Sequence, residues 1–99
     1  MYARLVKFTV NPDKQDVAQS IGDDIVPLMA AQPGFRGVSV FGDAADGEYG
    51  LFVIWDSADE ANAAARVVGP KLEGHLAGSL QRPLDHHLFN VLTFEERAH

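Results

Sequence analysis

Apolar and polar positions alternate with a period of two in four stretches of this chain, and with a period near 3.6 in two others. Residues 2–10 read as a strand, with Val6, Phe8 and Val10 on one face and Lys7 and Thr9 on the other. Asn11-Pro12-Asp13 supplies turn chemistry. From about Lys14 to Ala31 the period changes: Val17, Ile21, Ile25, Leu28 and Met29 fall on one side of a helix. Asp13 is placed to cap that helix or to put negative charge at its start. Pro27 predicts a kink or a weakened last turn, and Gln32-Pro33-Gly34 ends the helix. Residues 35–41 alternate again, residues 42–47 form a hairpin loop with glycine at both ends, and residues 48–56 return as a strand. The centre of that strand, Leu51-Phe52-Val53-Ile54-Trp55, is apolar on both faces, the pattern of a strand covered on both sides. Ser57-Ala58-Asp59-Glu60 has the spacing of a capping box and opens an alanine-rich helix through Val68. Gly69-Pro70 predicts an interruption, after which residues 71–80 resume as a short helix on Leu72, Leu76 and Leu80. Residues 85–95 form the last strand, with Leu88, Asn90, Leu92 and Phe94 opposite His87, Phe89, Val91 and Thr93.

The resulting order, β-α-β-β-α-β, is the split βαβ or ferredoxin-like plan: an α+β fold with a four-stranded antiparallel sheet and two helices on one face. The chain of 99 residues suits one domain, residues 1–99. Two helices cover one face of such a sheet, while the other still carries apolar residues on several strands. A patch of that kind invites association, so we expect a homodimer packed sheet to sheet, a dimeric α/β barrel.

Charge and composition narrow the partners. Fourteen Asp and Glu against eight Lys and Arg give a formal charge of -6, which opposes binding to nucleic-acid phosphates or to an anionic membrane surface. The absence of cysteine excludes disulfides, thiolate nucleophiles and Cys-based metal or iron–sulfur sites. No apolar run approaches the ~18 residues of a membrane span, and no signal-peptide pattern is visible, so a cytoplasmic protein is expected. No phosphate loop, dinucleotide fingerprint, nucleophile elbow or HExxH motif occurs, and no cofactor is expected.

Several residues are candidates for chemistry. His75, late in the second helical stretch, is a candidate acid–base group, against the plainer reading of a helix-end histidine. Trp55 offers a flat apolar wall with one N–H donor, for an aromatic substrate or simply for the core. Arg4 and Lys7 lie on opposite faces of the first strand, and Arg4, if it faces a pocket, binds an anionic or carbonyl group. Asn90 sits among apolar neighbours, so it either lines a pocket or bonds at an interface. His86 and His87 are adjacent on a strand and point to opposite faces, so they do not chelate one metal; no metal site is expected. Asp56 precedes the capping box and helps the helix start.

The element order, the turn Ala31-Gln32-Pro33-Gly34-Phe35, and Phe52-Val53-Ile54-Trp55-Asp56-Ser57 followed by a helix with a later His75 resemble the antibiotic-biosynthesis-monooxygenase-like proteins of the dimeric α/β-barrel superfamily. The resemblance covers nearly the whole chain. It implies a ferredoxin-like dimer, and activities that include cofactor-free oxygenation of polyketide aromatics and oxidative haem degradation. In members that oxidise aromatic polyketides, a tryptophan at the end of the third strand lines the pocket, and Trp55 matches it. An asparagine four residues earlier is replaced here by Leu51, a tyrosine of the following helix by small residues near Ala61, and a late basic residue corresponds to His75. In haem-degrading members an asparagine on the first strand, a tryptophan in the second helix and a later histidine form the site. His75 matches the last of these, the asparagine position falls near Val6, and Trp55, the sole tryptophan, leaves the helix position without one. The resemblance thus implies a monooxygenase acting on an aromatic or quinol-like substrate without bound metal or flavin, with His75 catalytic and Trp55, Arg4, Asn90 and Leu51 around the substrate. A non-catalytic ligand-binding or stress-related dimer, or a dimerisation module without a ligand, stands as the alternative.

Overall fold

The computed structural model describes residues 1–14 and 16–95. Strand β1 (Tyr2–Thr9) leads through a 3₁₀ turn (Pro12–Lys14) into a first helical region: α1 (Asp16–Ser20), a π-helical turn (Ile21–Ile25) and α2 (Val26–Ala30). Strands β2 (Phe35–Asp43) and β3 (Glu48–Trp55) form the hairpin, α3 spans Ala58–Leu76, and β4 is Asp85–Asn90. The four strands make one antiparallel sheet in the order β2-β3-β1-β4, which is the ferredoxin-like arrangement. The helices pack on one face of it, where Val6, Phe8, Leu51, Val53 and Trp55 meet Ile21, Ile25, Met29, Ala64, Val68 and Leu72 in a buried cluster.

Pro27 disturbs the first helical region one turn earlier than its own position. It has no N–H to give to the Asp23 carbonyl, and its ring crowds that carbonyl. The chain responds with a wider π turn over residues 21–25, in which the Val26 N–H bonds the Ile21 carbonyl. Ile21 and Ile25 stay fully buried across it, so the core contacts of the region survive the change of register. Asp13 lies in the preceding 3₁₀ turn, outside the α-helix it was expected to cap. Gly34, at φ +84, then reverses the chain, and its carbonyl accepts from the Asp56 N–H at 2.8 Å.

Four boundaries differ from those expected. The Gly69-Pro70 pair does not interrupt α3, which runs unbroken from Ala58 to Leu76. Proline removes only one helical bond, and Gly69, lacking a Cβ, escapes part of the clash that a residue before proline meets in a helix. Buried Val68, Leu72 and Leu76 continue one face across the pair and hold it in register. Helix α3 also stops short of Leu80, because Gly78 turns at φ +77, and Leu80 instead bridges to Val10. Strand β4 ends at Asn90 rather than Glu95: Asn90 pairs with Tyr2, the first residue of β1, so the ladder has no partner beyond one bond from the Val91 N–H to the Met1 carbonyl, at 3.0 Å. Leu92 beyond it is 90% exposed. Finally β2 continues to Asp43, so the hairpin turn is residues 44–47, closed by the Asp43 carboxylate accepting from the Ala45 N–H at 3.0 Å.

The expected capping box at Ser57 is present in a modified form. The Ser57 hydroxyl accepts from the Glu60 N–H at 3.1 Å, but the Glu60 carboxylate accepts from that same hydroxyl at 3.0 Å rather than from the Ser57 backbone. Asp56 accepts from Arg36 at 2.6 Å and so ties β2 to the start of α3.

Candidate functional site

Strand register decides which side chains share the helix-covered face. Directly paired residues point the same way, so β1 sends Arg4 and Val6 towards α3 together with Leu51, Val53 and Trp55 of β3 and His86 and Leu88 of β4. Above them α3 presents alanine and glycine where a bulkier helix would close onto the sheet. The result is a cavity of about 190 Å³ between α3 and the sheet. Its floor is Val6, Met29, Leu51, Val53 and Trp55, and its inner wall is Ala61, Ala64, Val68 and Leu72, all buried. Its mouth lies between α3 and the β1–β4 edge and is rimmed by Arg4, Ala65, Gly69, Glu73, Leu84 and His86. The floor is therefore wholly apolar apart from the indole N–H, and the ionisable groups are gathered at the mouth.

Two contacts set the geometry at opposite ends. Trp55 is 3% exposed and meets Phe35 edge-on, with ring centroids 5.8 Å apart and planes at 78°, which holds the indole against the end of the cavity. Arg4 reaches from β1 across to α3, where its guanidinium donates to the Asn62 side-chain carbonyl at 2.8 Å. Among the described residues it has no carboxylate partner. Burial without a counter-charge lowers its pKa from the ordinary arginine value. A guanidinium has five N–H donors, so a single neutral acceptor leaves most of them open.

Arg4, Leu51 and Trp55 thus meet in one cavity. Asn90 shares their face of the sheet but is exposed and does not line the cavity, because it sits at the frayed end of β4 beside Tyr2. His75 does not line it either. Its imidazole is directed to the first helical region, with Nε2 3.4 Å from the Asp24 carboxylate. Sequence reasoning placed His86 and His87 on opposite faces without giving His86 to the cavity, and left out Glu73 at the mouth and Asn62 as the partner of Arg4. For His86 the signal was present: His86 and Leu88 alternate onto one face of β4, and the strand order sets that face beside Arg4 and Val6. Asn62 gave no such signal, since its role depends on the reach of an arginine 58 positions away. Among the described residues no group of three or more His, Cys, Asp or Glu is placed to hold a metal ion, and no helix is long and apolar enough to cross a membrane.

The sequence profile of the antibiotic biosynthesis monooxygenase family matches residues 1–66, two-thirds of the chain, including β1, the hairpin and the first turns of α3. The chain belongs to that family. Solved structures of antibiotic biosynthesis monooxygenases and related proteins share its fold. SnoaB, a cofactor-independent oxygenase from Streptomyces nogalater, superposes with a TM-score of 0.74 at 21% identity, over 94% of this chain and 94% of that one. A monooxygenase from the gene ActVA-Orf6 of Streptomyces coelicolor, solved in complex with the ligand nanaomycin D, gives a TM-score of 0.76 at 16% identity, over 98% and 92%. Rv0793 from Mycobacterium tuberculosis gives 0.82 at 19% identity, over 96% and 98%. No curated protein sequence matches the chain.

Proposed function

We propose that this antibiotic biosynthesis monooxygenase family member oxidises a hydroxylated aromatic or quinol-like substrate bound in the cavity between α3 and the sheet. The observation that carries the reading is the division of that cavity: an apolar floor closed by an indole, and at its mouth a guanidinium that pairs with no carboxylate among the described residues. A void of about 150 Å³ holds a benzene ring, so the floor suits one aromatic ring, with any further ring lying in the mouth. Trp55 and Leu51 orient the ring, the dry floor excludes water, and Arg4 binds the oxygen that becomes negative as the hydroxyl ionises. Electrons for dioxygen then come from the substrate anion itself, so the reading assigns no metal or flavin to the site. His75 and Asn90, off the cavity, are left out of the substrate contacts. Oxygen consumption by the flavin-free, chelator-treated protein with hydroxyanthrones and dihydroxynaphthalenes tests the reading; uptake no faster than in buffer across that panel contradicts it.

A second reading is supported by Leu51 in the floor and Ala61 in the inner wall, which give the cavity no polar group there: the protein holds an aromatic ligand without transforming it. Quenching of Trp55 fluorescence by such compounds, without oxygen uptake, separates the two.

We further propose that two copies pair through the open face of the sheet. Phe41, Phe52 and Phe89 are each 40–45% exposed there, beside the partly buried Leu5 and Ile54. Pairing would bury this stripe and leave the cavity, on the opposite face, open.

A further inference from the structure

We propose that His86 is the proton acceptor of the cavity, taking the hydroxyl proton of a bound phenol or quinol while Arg4 holds the oxyanion. The inference rests on the cavity being the substrate site.

Placement comes first. On β4, His86 pairs with Val6, and the next residue on the same face, Leu88, pairs with Arg4. His86 and Arg4 are therefore diagonal neighbours across the β1–β4 ladder, on the helix side, and both rim the mouth. The other described histidines are committed elsewhere. His75 faces Asp24, and His87 points to the open face of the sheet, where its ring stacks on Phe89 at 4.4 Å. Among the described residues the His86 side chain has no hydrogen-bond or ion-pair partner, so its ring nitrogens are available to a ligand.

Chemistry then selects it. A ring seated on the apolar floor must turn its hydroxyl to the mouth, because a hydroxyl left against Val6, Leu51 and Val53 would lose its hydrogen bonds to water without replacement. Among the described residues, the charged and titratable groups that share the cavity lining with His86 are Arg4 from β1 and Glu73 from α3. A guanidinium stays protonated and accepts nothing. Between the remaining two, an imidazole is intrinsically the stronger base and offers a nitrogen lone pair to the proton. The step balances as a transfer: the substrate O–H bond breaks, an N–H bond forms on the free imidazole nitrogen, and the products are an imidazolium and a phenolate. The phenolate oxygen lies beside the guanidinium, so both cations oppose it.

The test uses the full chain and 4-nitrophenol, whose ionised form alone is yellow. Trp55, the sole tryptophan, reports occupancy of the cavity by its quenching, corrected against free N-acetyltryptophanamide. Visible absorbance reports the phenolate-to-phenol ratio of the bound probe. We expect that ratio to exceed the ratio in free solution at the same pH, and to fall by about threefold or more in His86→Gln, equivalent to half a pK unit, with quenching retained. His87→Gln, one residue along and on the opposite face, leaves the ratio unchanged. Quenching with an unaltered ratio in His86→Gln overturns the role of His86 and leaves the cavity reading standing. Absence of quenching in the unmodified protein overturns both.

Discussion

Arg4 and Leu51 are neighbours in the same cavity and have opposite consequences when replaced. Leu51 is fully buried in the floor, so Leu51→Ala should cost about 2–5 kcal/mol, read as a lower midpoint in urea unfolding. Arg4→Gln removes a partly exposed cation whose one side-chain bond among the described residues is to an exposed amide, and should change the stability by less than about 0.5 kcal/mol. It should nevertheless weaken binding of the ionised form of a phenol such as 4-nitrophenol. A large stability loss in Arg4→Gln would show that the guanidinium serves the fold rather than a ligand. At this scale the sequence was legible where period two applied. Arg4, Leu51 and Trp55 alternate onto the face that carries the cavity, and their grouping follows from strand register. It was not legible for His75, because helical phase near a proline does not say whether a side chain points at the sheet or at the neighbouring helical region. Nor was it legible for Asn90, whose apolar sequence neighbours suggested burial although the ladder gives out beside it.

Helix α3 carries the departures from local expectation. Gly69-Pro70 would ordinarily divide a helix, yet the apolar face that continues through Val68, Leu72 and Leu76 outweighs the one lost bond. Pro70→Ala restores a donor to the Arg66 carbonyl and should stabilise the protein by about 1–3 kcal/mol. A Cβ on Gly69 would meet no neighbouring side chain or strand within 4 Å, so the obstacle to one is Pro70 itself. Gly69→Ala should therefore gain little alone and about 0.5–1 kcal/mol in the Pro70→Ala background. A double-mutant cycle in urea measures that non-additivity, and simple additivity would refute the role assigned to the glycine. At the other end of the helix, Ser57→Ala removes the acceptor of the Glu60 N–H and should cost about 1 kcal/mol. The cap was plain from Ser57 and Glu60 alone, since a cap is a local event. The π turn was not, because Pro27 announces a disturbance without saying whether the helix bends, frays or widens.

For the whole molecule, element order and strand direction followed from periodicity, and the sheet order β2-β3-β1-β4 is the one that plan requires. A pocket between sheet and helices was expected from the family resemblance; its size and its mouth did not follow from periodicity, because it is a volume left between α3 and the sheet and depends on how closely two surfaces approach. The aromatic stripe on the open face predicts that Phe52→Lys lowers the mass measured by light scattering from that of a dimer to that of a monomer at micromolar concentration. A monomer before substitution would contradict the pairing. The central claim, that a substrate is oxidised between α3 and the sheet, is tested most directly by oxygen uptake before and after the cavity is filled. Pro70→Ala and Pro70→Ala with Gly69→Leu are compared with a dihydroxynaphthalene or hydroxyanthrone substrate, since position 69 is on the rim and a Cβ there meets open space. The account predicts uptake above the buffer rate for Pro70→Ala and uptake at the buffer rate for the double variant, with its melting cooperative and its midpoint kept. Equal uptake by the two proteins would place the reaction elsewhere and contradict the account.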